Sequence, residues 1–180
     1  LEGLNKVLKL KCGYKDRREL ERLSYEFSSS RRSPLYGCIG AVDGIVVAIR
    51  RPRLEERNNL TAYWNRKGFF GIPVQALCDA RYRFVYMSSA CAGSTHDATA
   101  FEVTDMSKFL NSRGLAEGYW VAGDEAYTCS NYLITPWPSS NLTVWKDAFN
   151  FFHSSLRIHV EQAFGMLVGR WGILWKPLRC

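Results

Sequence analysis

Three carboxylates of this sequence stand where carboxylates are costly. Asp43 interrupts the almost unbroken apolar run from Ile39 to Ile49. An ionised carboxylate inside a buried strand is unfavourable unless it is paired or bound to a cation. Gly44 follows it and leaves room for another group to approach the backbone. Asp124 closes the short apolar run Tyr119–Gly123, and strand ends are where α/β sheets usually carry functional groups. Glu161 lies beside the apolar stripe of a helical segment, with Arg157 one turn before it and Gly165 one turn after it on the same face. Oxygen donors of this kind suit hard cations such as Mg²⁺, which bind one or two carboxylates together with water and phosphate. Two such ions can activate a water and stabilise the leaving oxygen of a phosphodiester. Each acid also has a plainer reading. Asp43 could sit in a salt bridge or at a bulge, Asp124 could cap a helix, and Glu161 could pair with Arg157. In the last case Arg157 could equally hold the glutamate in place for a metal.

The elements that must position these acids follow from periodicity. Residues 1–36 form a basic, charge-rich segment, in which Leu20, Leu23 and Phe27 predict a helix over about 16–27 before the Ser- and Arg-rich loop at 28–34. From residue 37 to 180 the pattern is that of one α/β domain. Strands are predicted at Ile39–Ile49, buried on both faces, at Phe69–Cys78, where Pro73 implies an edge or a bulge, and at Tyr82–Cys91. The turn Asp79-Ala80-Arg81 makes these three an antiparallel meander. A helix from Asp97 to Leu110 with Thr95 as its N-cap follows, then a fourth strand at Tyr119–Gly123 and an irregular crossing at Trp137–Ser140. A long helix over about Phe151–Trp171 is marked by the stripe Val160, Phe164, Leu167 and Trp171. The expectation is a mixed central sheet with an antiparallel first three strands and flanking helices, an order that agrees with RNase H-like topology.

Composition narrows the partners. The chain has 180 residues, 47% of them hydrophobic and 14% aromatic, with 24 Lys and Arg against 17 Asp and Glu, a net charge of +7. A surplus of that size fits a polyanion, of which nucleic acid is the commonest. Arg50, Arg51 and Arg53 after the first strand, and Arg66 and Lys67 before the second, fall near one end of the sheet. They could neutralise DNA phosphates or simply form solvated loops. Tyr63 and Trp64 could stack on an unpaired base or belong to the core. Six scattered cysteines without zinc-finger spacing favour a reducing compartment, nucleus or cytoplasm, over secretion. Asn59-Leu60-Thr61 and Asn141-Leu142-Thr143 match the glycosylation sequon with no secretory signal to give it meaning. No apolar run is long enough to span a bilayer. The first residue, Leu1, suits a piece of a longer protein.

Five blocks, taken together and in order, resemble the Harbinger-type DDE transposases and transposase-derived nucleases. They are Ile39-Gly40-Ala41-Val42-Asp43-Gly44, Tyr63-Trp64-Asn65-Arg66-Lys67-Gly68, Gly93-Ser94-Thr95-His96-Asp97, Gly123-Asp124-Glu125-Ala126-Tyr127, and Arg157 to Gly165 followed by Gly169-Arg170-Trp171. The resemblance implies an RNase H-like nuclease domain in which Asp43, Asp124 and Glu161 hold divalent metal, Mg²⁺ or Mn²⁺ and two ions, and activate water or a DNA 3′-hydroxyl. It makes Asp97 the competing second carboxylate, ranked lower because capping at a helix start would account for it. His96 then positions Asp97 or contacts DNA. It further implies DNA as partner, a separate helix-turn-helix or Myb-like DNA-binding protein, and room for an oligomer. Three departures stand out. Ile45-Val46 replaces a polar pair ending in His or Cys, Ala126 replaces a glycine, and no helix-turn-helix region is included. The first two leave open a second function, a catalytically inactive domesticated module that binds DNA or protein. An RNase H-type ribonuclease is a third reading, which the Arg157–Trp171 helix fits less well.

Overall fold

The structure is a computed structural model that describes residues 16–53, 60–89, 91–113 and 115–178. Cys12, Cys180 and Asn59 of the first sequon lie outside the described residues. Helix α1 (Arg17–Arg31) is followed by strands β1 (Cys38–Ala48), β2 (Gly71–Cys78) and β3 (Phe84–Ser88), then helices α2 (Asp97–Glu102) and α3 (Asp105–Arg113). Strands β4 (Trp120–Ala122) and β5 (Leu133–Ile134) lead into the long helix α4 (Val144–Arg170). The five strands form one mixed sheet in the order β3-β2-β1-β4-β5. β1, β2 and β3 are antiparallel neighbours, whereas β4 and β5 run parallel to β1.

Alternation along β1 divides the core into two layers. Val42 and Leu77 face one layer, which α2 and α3 close with Phe101, Met106 and Leu110. Ala41, Ala76 and Cys78 face the other, which α4 closes with Leu156, Val160, Ala163 and Phe164. Helix α1 serves both, sending Leu20 and Leu23 to the first layer and Phe27 to the second. The small residues Ala41, Ala76, Ala122 and Ala163 let α4 lie close to the sheet.

Several expectations shift. β1 is fully buried only from Cys38 to Val42; from Asp43 to Ala48 it is half-buried, because β4 is three residues long and leaves that stretch uncovered. Pro73 falls in a part of β2 that has run beyond β3, whose pairing begins at Gln75, so its missing donor costs no ladder bond. The predicted single helix at 97–110 is two. Thr104 breaks it: its hydroxyl accepts from Ser107 N at 3.1 Å as the cap of α3 and donates to the Phe101 carbonyl at 2.6 Å. The α2 cap position belongs to His96, not Thr95, and makes no side-chain capping bond. α4 starts at Val144, where the Thr143 hydroxyl accepts from Lys146 N. Trp171 ends that helix 59% exposed, outside the core stripe, because the helix has passed the sheet by then.

Candidate active site

Asp43 lies in β1 opposite Ala76, on the face that alternation shares with Ala41 and turns toward α4. Its side chain is 20% exposed. Oδ1 accepts one hydrogen bond, from Gly44 N at 2.8 Å. Oδ2 stands 3.7 Å from Arg157 Nη1, and that same nitrogen is 2.5 Å from Glu161 Oε1. Arg157 and Glu161 come together because they are one helical turn apart on α4. Asp124 arrives from the opposite side. β4 runs parallel to β1 with Ala122 paired to Ala41, so the chain two residues further on comes alongside Asp43. There Asp124 closes a turn, not a helix, accepting from Ala126 N at 2.9 Å through Oδ1.

Burial pushes the Asp43 carboxyl up to about 6, and the negative charges of Asp124 and Glu161 add to the rise. The Gly44 N–H and the Arg157 guanidinium oppose it. The three acids therefore share one electrostatic site at the open end of β4. Among the described residues no three His, Cys, Asp or Glu side chains close into a ready-made cage. Glu161 is engaged with Arg157, whose cationic nitrogen stands between two of the acids. In donor type the set fits a hard divalent cation, and such an ion would relieve the repulsion that raises Asp43. Glu161, with its side chain 44% exposed, would exchange Arg157 for the ion. Beyond Gly165 there is open space.

Asp97 is on the other face of the sheet. Its Oδ1 accepts from Gln75 Nε2 at 3.1 Å, and Gln75 Oε1 accepts from the Tyr127 hydroxyl at 2.6 Å. This chain crosses Gly44, whose missing Cβ would lie 2.5 Å from Asp97 Oδ1 and 2.6 Å from Gln75 Nε2. Burial, followed by the charges of Asp43, Asp97 and Asp124, raises the Tyr127 phenol, which stays a donor. Tyr127 thus fastens the Asp124 turn to the strand that neighbours Asp43. Gln75 is the site residue that the sequence reading lacked; its signal is a lone amide inside the apolar stretch Ile72–Cys78. His96 is exposed beside this network.

Arg50, Arg51 and Arg53 are exposed beyond β1, and Arg66 and Lys67 are exposed on the turn before β2. Pairing of Ala48 with Gly71 sets both groups at one end of the ribbon. That end lies roughly 15–20 Å from Asp43 at the usual rise per strand residue, so these cations flank the acids instead of lining them. Asn65 is buried and holds the Arg66–Lys67 turn, accepting from Lys67 N at 2.9 Å and donating to the Gly93 carbonyl at 2.9 Å. Two of the recognisable sequence blocks meet there. A Cβ on Gly93 would collide with the carbonyl oxygens of Gly71 and Tyr63.

Set beside known proteins, residues 42–180 match the sequence profile of a family described as DDE superfamily endonuclease. HARBI1 of Rattus norvegicus, a candidate nuclease by name, is 28% identical over 159 residues, covering 88% of this chain and 43% of that protein. Its Homo sapiens counterpart is 27% identical over the same shares. An ALP1-like protein of Arabidopsis thaliana is 24% identical over 163 residues, 82% of this chain and 40% of that protein. The chain thus spans about two fifths of the length of the curated relatives it matches. No solved structure matches it significantly.

Proposed function

Because this chain belongs to the DDE superfamily endonuclease family, we propose that it is the catalytic domain of a divalent-metal-dependent endonuclease or transposase that cuts DNA. The observation that carries the reading is the convergence of Asp43, Asp124 and Glu161 on one site, where the fields of the other two acids act on Asp43. The accompanying fold reading is RNase H-like, supported by an antiparallel β1–β3 ribbon, parallel β4 and β5, and an acid-bearing helix packed on β1.

Asp43, Asp124 and Glu161 would hold Mg²⁺ or Mn²⁺, two ions in all. Bound there, the ions supply an activated water and neutralise charge on the leaving oxygen. The chain's own groups do the positioning. The Gly44 N–H orients Asp43, the turn closed by Asp124 and anchored through Tyr127 aims the second carboxylate, and Arg157 holds Glu161 on the side of Asp43. Arg50, Arg51, Arg53, Arg66 and Lys67 bind the flanking phosphates without reading sequence. A separate helix-turn-helix or Myb-like protein would then supply target choice, and the nucleus is the compartment in which such a complex works.

A second reading, a silent DNA- or protein-binding module, draws on Val46 and Ala126 at positions where the resembling family carries other residues. Nicking of supercoiled plasmid in Mg²⁺ separates the two. Wild type should cut, with Asp43→Asn, Asp124→Asn and Glu161→Gln each slower by at least about a hundredfold. A folded wild type that binds DNA and never cuts it decides for the silent module. Preference for an RNA–DNA hybrid over duplex DNA would instead indicate a ribonuclease.

A further inference from the structure

We infer that the pocket beside the acidic site is a stacking site for an unpaired DNA base next to the bond being cut; this rests on the nuclease reading. The pocket has a volume of about 800 Å³ and is walled by Ile134, Pro136, Trp137, Pro138 and Phe149, with Glu125 at its rim. That volume lies within the range of small-molecule sites, roughly 300–1,000 Å³, and accommodates a base with its sugar. Two connections set it against the acids. Glu125 directly follows Asp124, about 3.8 Å away between α-carbons. Ile134 is the β5 partner of Ala122 in β4, so the pocket opens at the strand end from which Asp124 emerges. A strand whose phosphate reached Asp43 and Asp124 would pass its adjacent nucleotide across this mouth.

Trp137 is built as a fixed platform. Asn150 of α4 clamps it from both sides, accepting from Trp137 N at 2.8 Å and donating to its carbonyl at 2.9 Å. Trp137 is 49% exposed, so the held loop presents aromatic surface to solvent. Lys146 Nζ lies over one face of the ring, 4.2 Å from its centroid, a cation–π contact that keeps a positive charge beside the platform. Behind it, Phe149 stacks on His153 at 5.6 Å, and His153 stacks on Trp120 at 6.1 Å, which makes the rear wall stiff. Glu125 could accept a hydrogen bond from an exocyclic amine. A ring, a cation and an acceptor around one apolar cleft, in a chain of net charge +7, match a nucleotide better than an apolar peptide.

The test uses the 180-residue chain, without divalent metal, and two DNA hairpins that differ in one feature. One carries 2-aminopurine in a single-stranded overhang and the other carries it fully paired. Stacking quenches the overhang signal on binding, and Trp137→Ala should weaken overhang binding about tenfold while leaving the paired hairpin unchanged. Trp137→Phe, which keeps a ring, should retain most of the affinity. Equal overhang binding by wild type and Trp137→Ala overturns the stacking site and is the result expected if the pocket docks a protein segment. Equal weakening of both hairpins by both variants overturns it as well. Plasmid nicking by the wild type, run in parallel, judges the nuclease reading separately. Trp137-dependent overhang binding in a chain that cuts nothing upholds the stacking site and defeats the enzyme.

Discussion

Asp79 and Asp43 are both acids of the antiparallel β1–β3 meander, and the chain treats them in opposite ways. Asp79, its side chain 2% exposed, sits at the turn after β2 with its acceptors filled. Arg81 N at 2.9 Å, Arg83 N at 3.0 Å and Arg83 Nε at 2.8 Å all donate to it, and Arg83 Nη2 stands at 2.7 Å. Asp43 has the neighbouring Gly44 N–H and a guanidinium 3.7 Å away, with two further carboxylates acting on it. A buried acid with every lone pair engaged is a structural part. One left short of partners and set against its own kind has the shifted pKa of a functional-site group, which on the proposed reading is where a cation would bind.

The largest effect that separates them is on folding. Asp79→Ala strips the acceptor from two backbone N–H groups in a tight turn and should cost about 2–3 kcal/mol, read from urea denaturation. A loss within experimental error would mean that the turn does not depend on its acid.

Asp43→Asn should do the reverse in metal-free buffer. The folded carboxyl titrates at about 6 and the unfolded one near 3.9. Between those values the folded chain keeps a proton that the unfolded chain has released, so stability falls as pH rises through the window and stays lower above it. The asparagine variant escapes this and should be more stable than wild type at pH 7.5 by about 1–3 kcal/mol. The two should converge near pH 4. Equal stability at pH 7.5 would show that Asp43 is compensated after all.

A smaller effect of opposite sign sharpens the contrast. Burial, the larger cause, lowers both His153 and His159 despite carbonyl acceptors from Ile134 and Leu156. Their folded values lie below the unfolded one, near 6.5, so the unfolded chain binds the extra protons. Stability is complete above that pH and is lost as pH falls below it. In Asp43→Asn the denaturation midpoint should therefore decline from pH 6.5 toward 5, with the rising Asp43 contribution gone. A flat midpoint there would mean that both imidazoles accommodate their charge when folded.

The sequence made some of this legible and hid the rest for identifiable reasons. β1 and β2 announce themselves because β-branched runs broken by one acid or one proline have few other uses. The core half of α4 shows in Val160, Phe164 and Leu167. Its first two turns do not, because Val144, Trp145 and Phe151 are exposed and leave no apolar periodicity to read. β5 is two residues long and has no pattern at all. Thr104 resembles a helix-interior residue until its hydroxyl is seen to cap the next helix. Asp43 and Asp124 stood out because carboxylates in or at the end of apolar strands are expensive. Glu161 stood out because it lies beside the apolar stripe of a helix with Arg157 and Gly165 on its face. Which face Asp97 occupies depends on register, and Gln75 acquires its role only when Tyr127 and Asp97 are brought to it. The Trp137 platform likewise depends on an asparagine thirteen residues away in the chain.

The central claim is that Asp43, Asp124 and Glu161 are a cation site in waiting, and Mn²⁺ titration by calorimetry of the wild-type chain and Asp43→Asn tests it most directly. The account predicts saturable binding to the wild type that disappears in the variant, with heat that varies with pH as Asp43 ionises. A demonstrably folded wild type that takes up no Mn²⁺, or a variant that binds as well as the wild type, would contradict it.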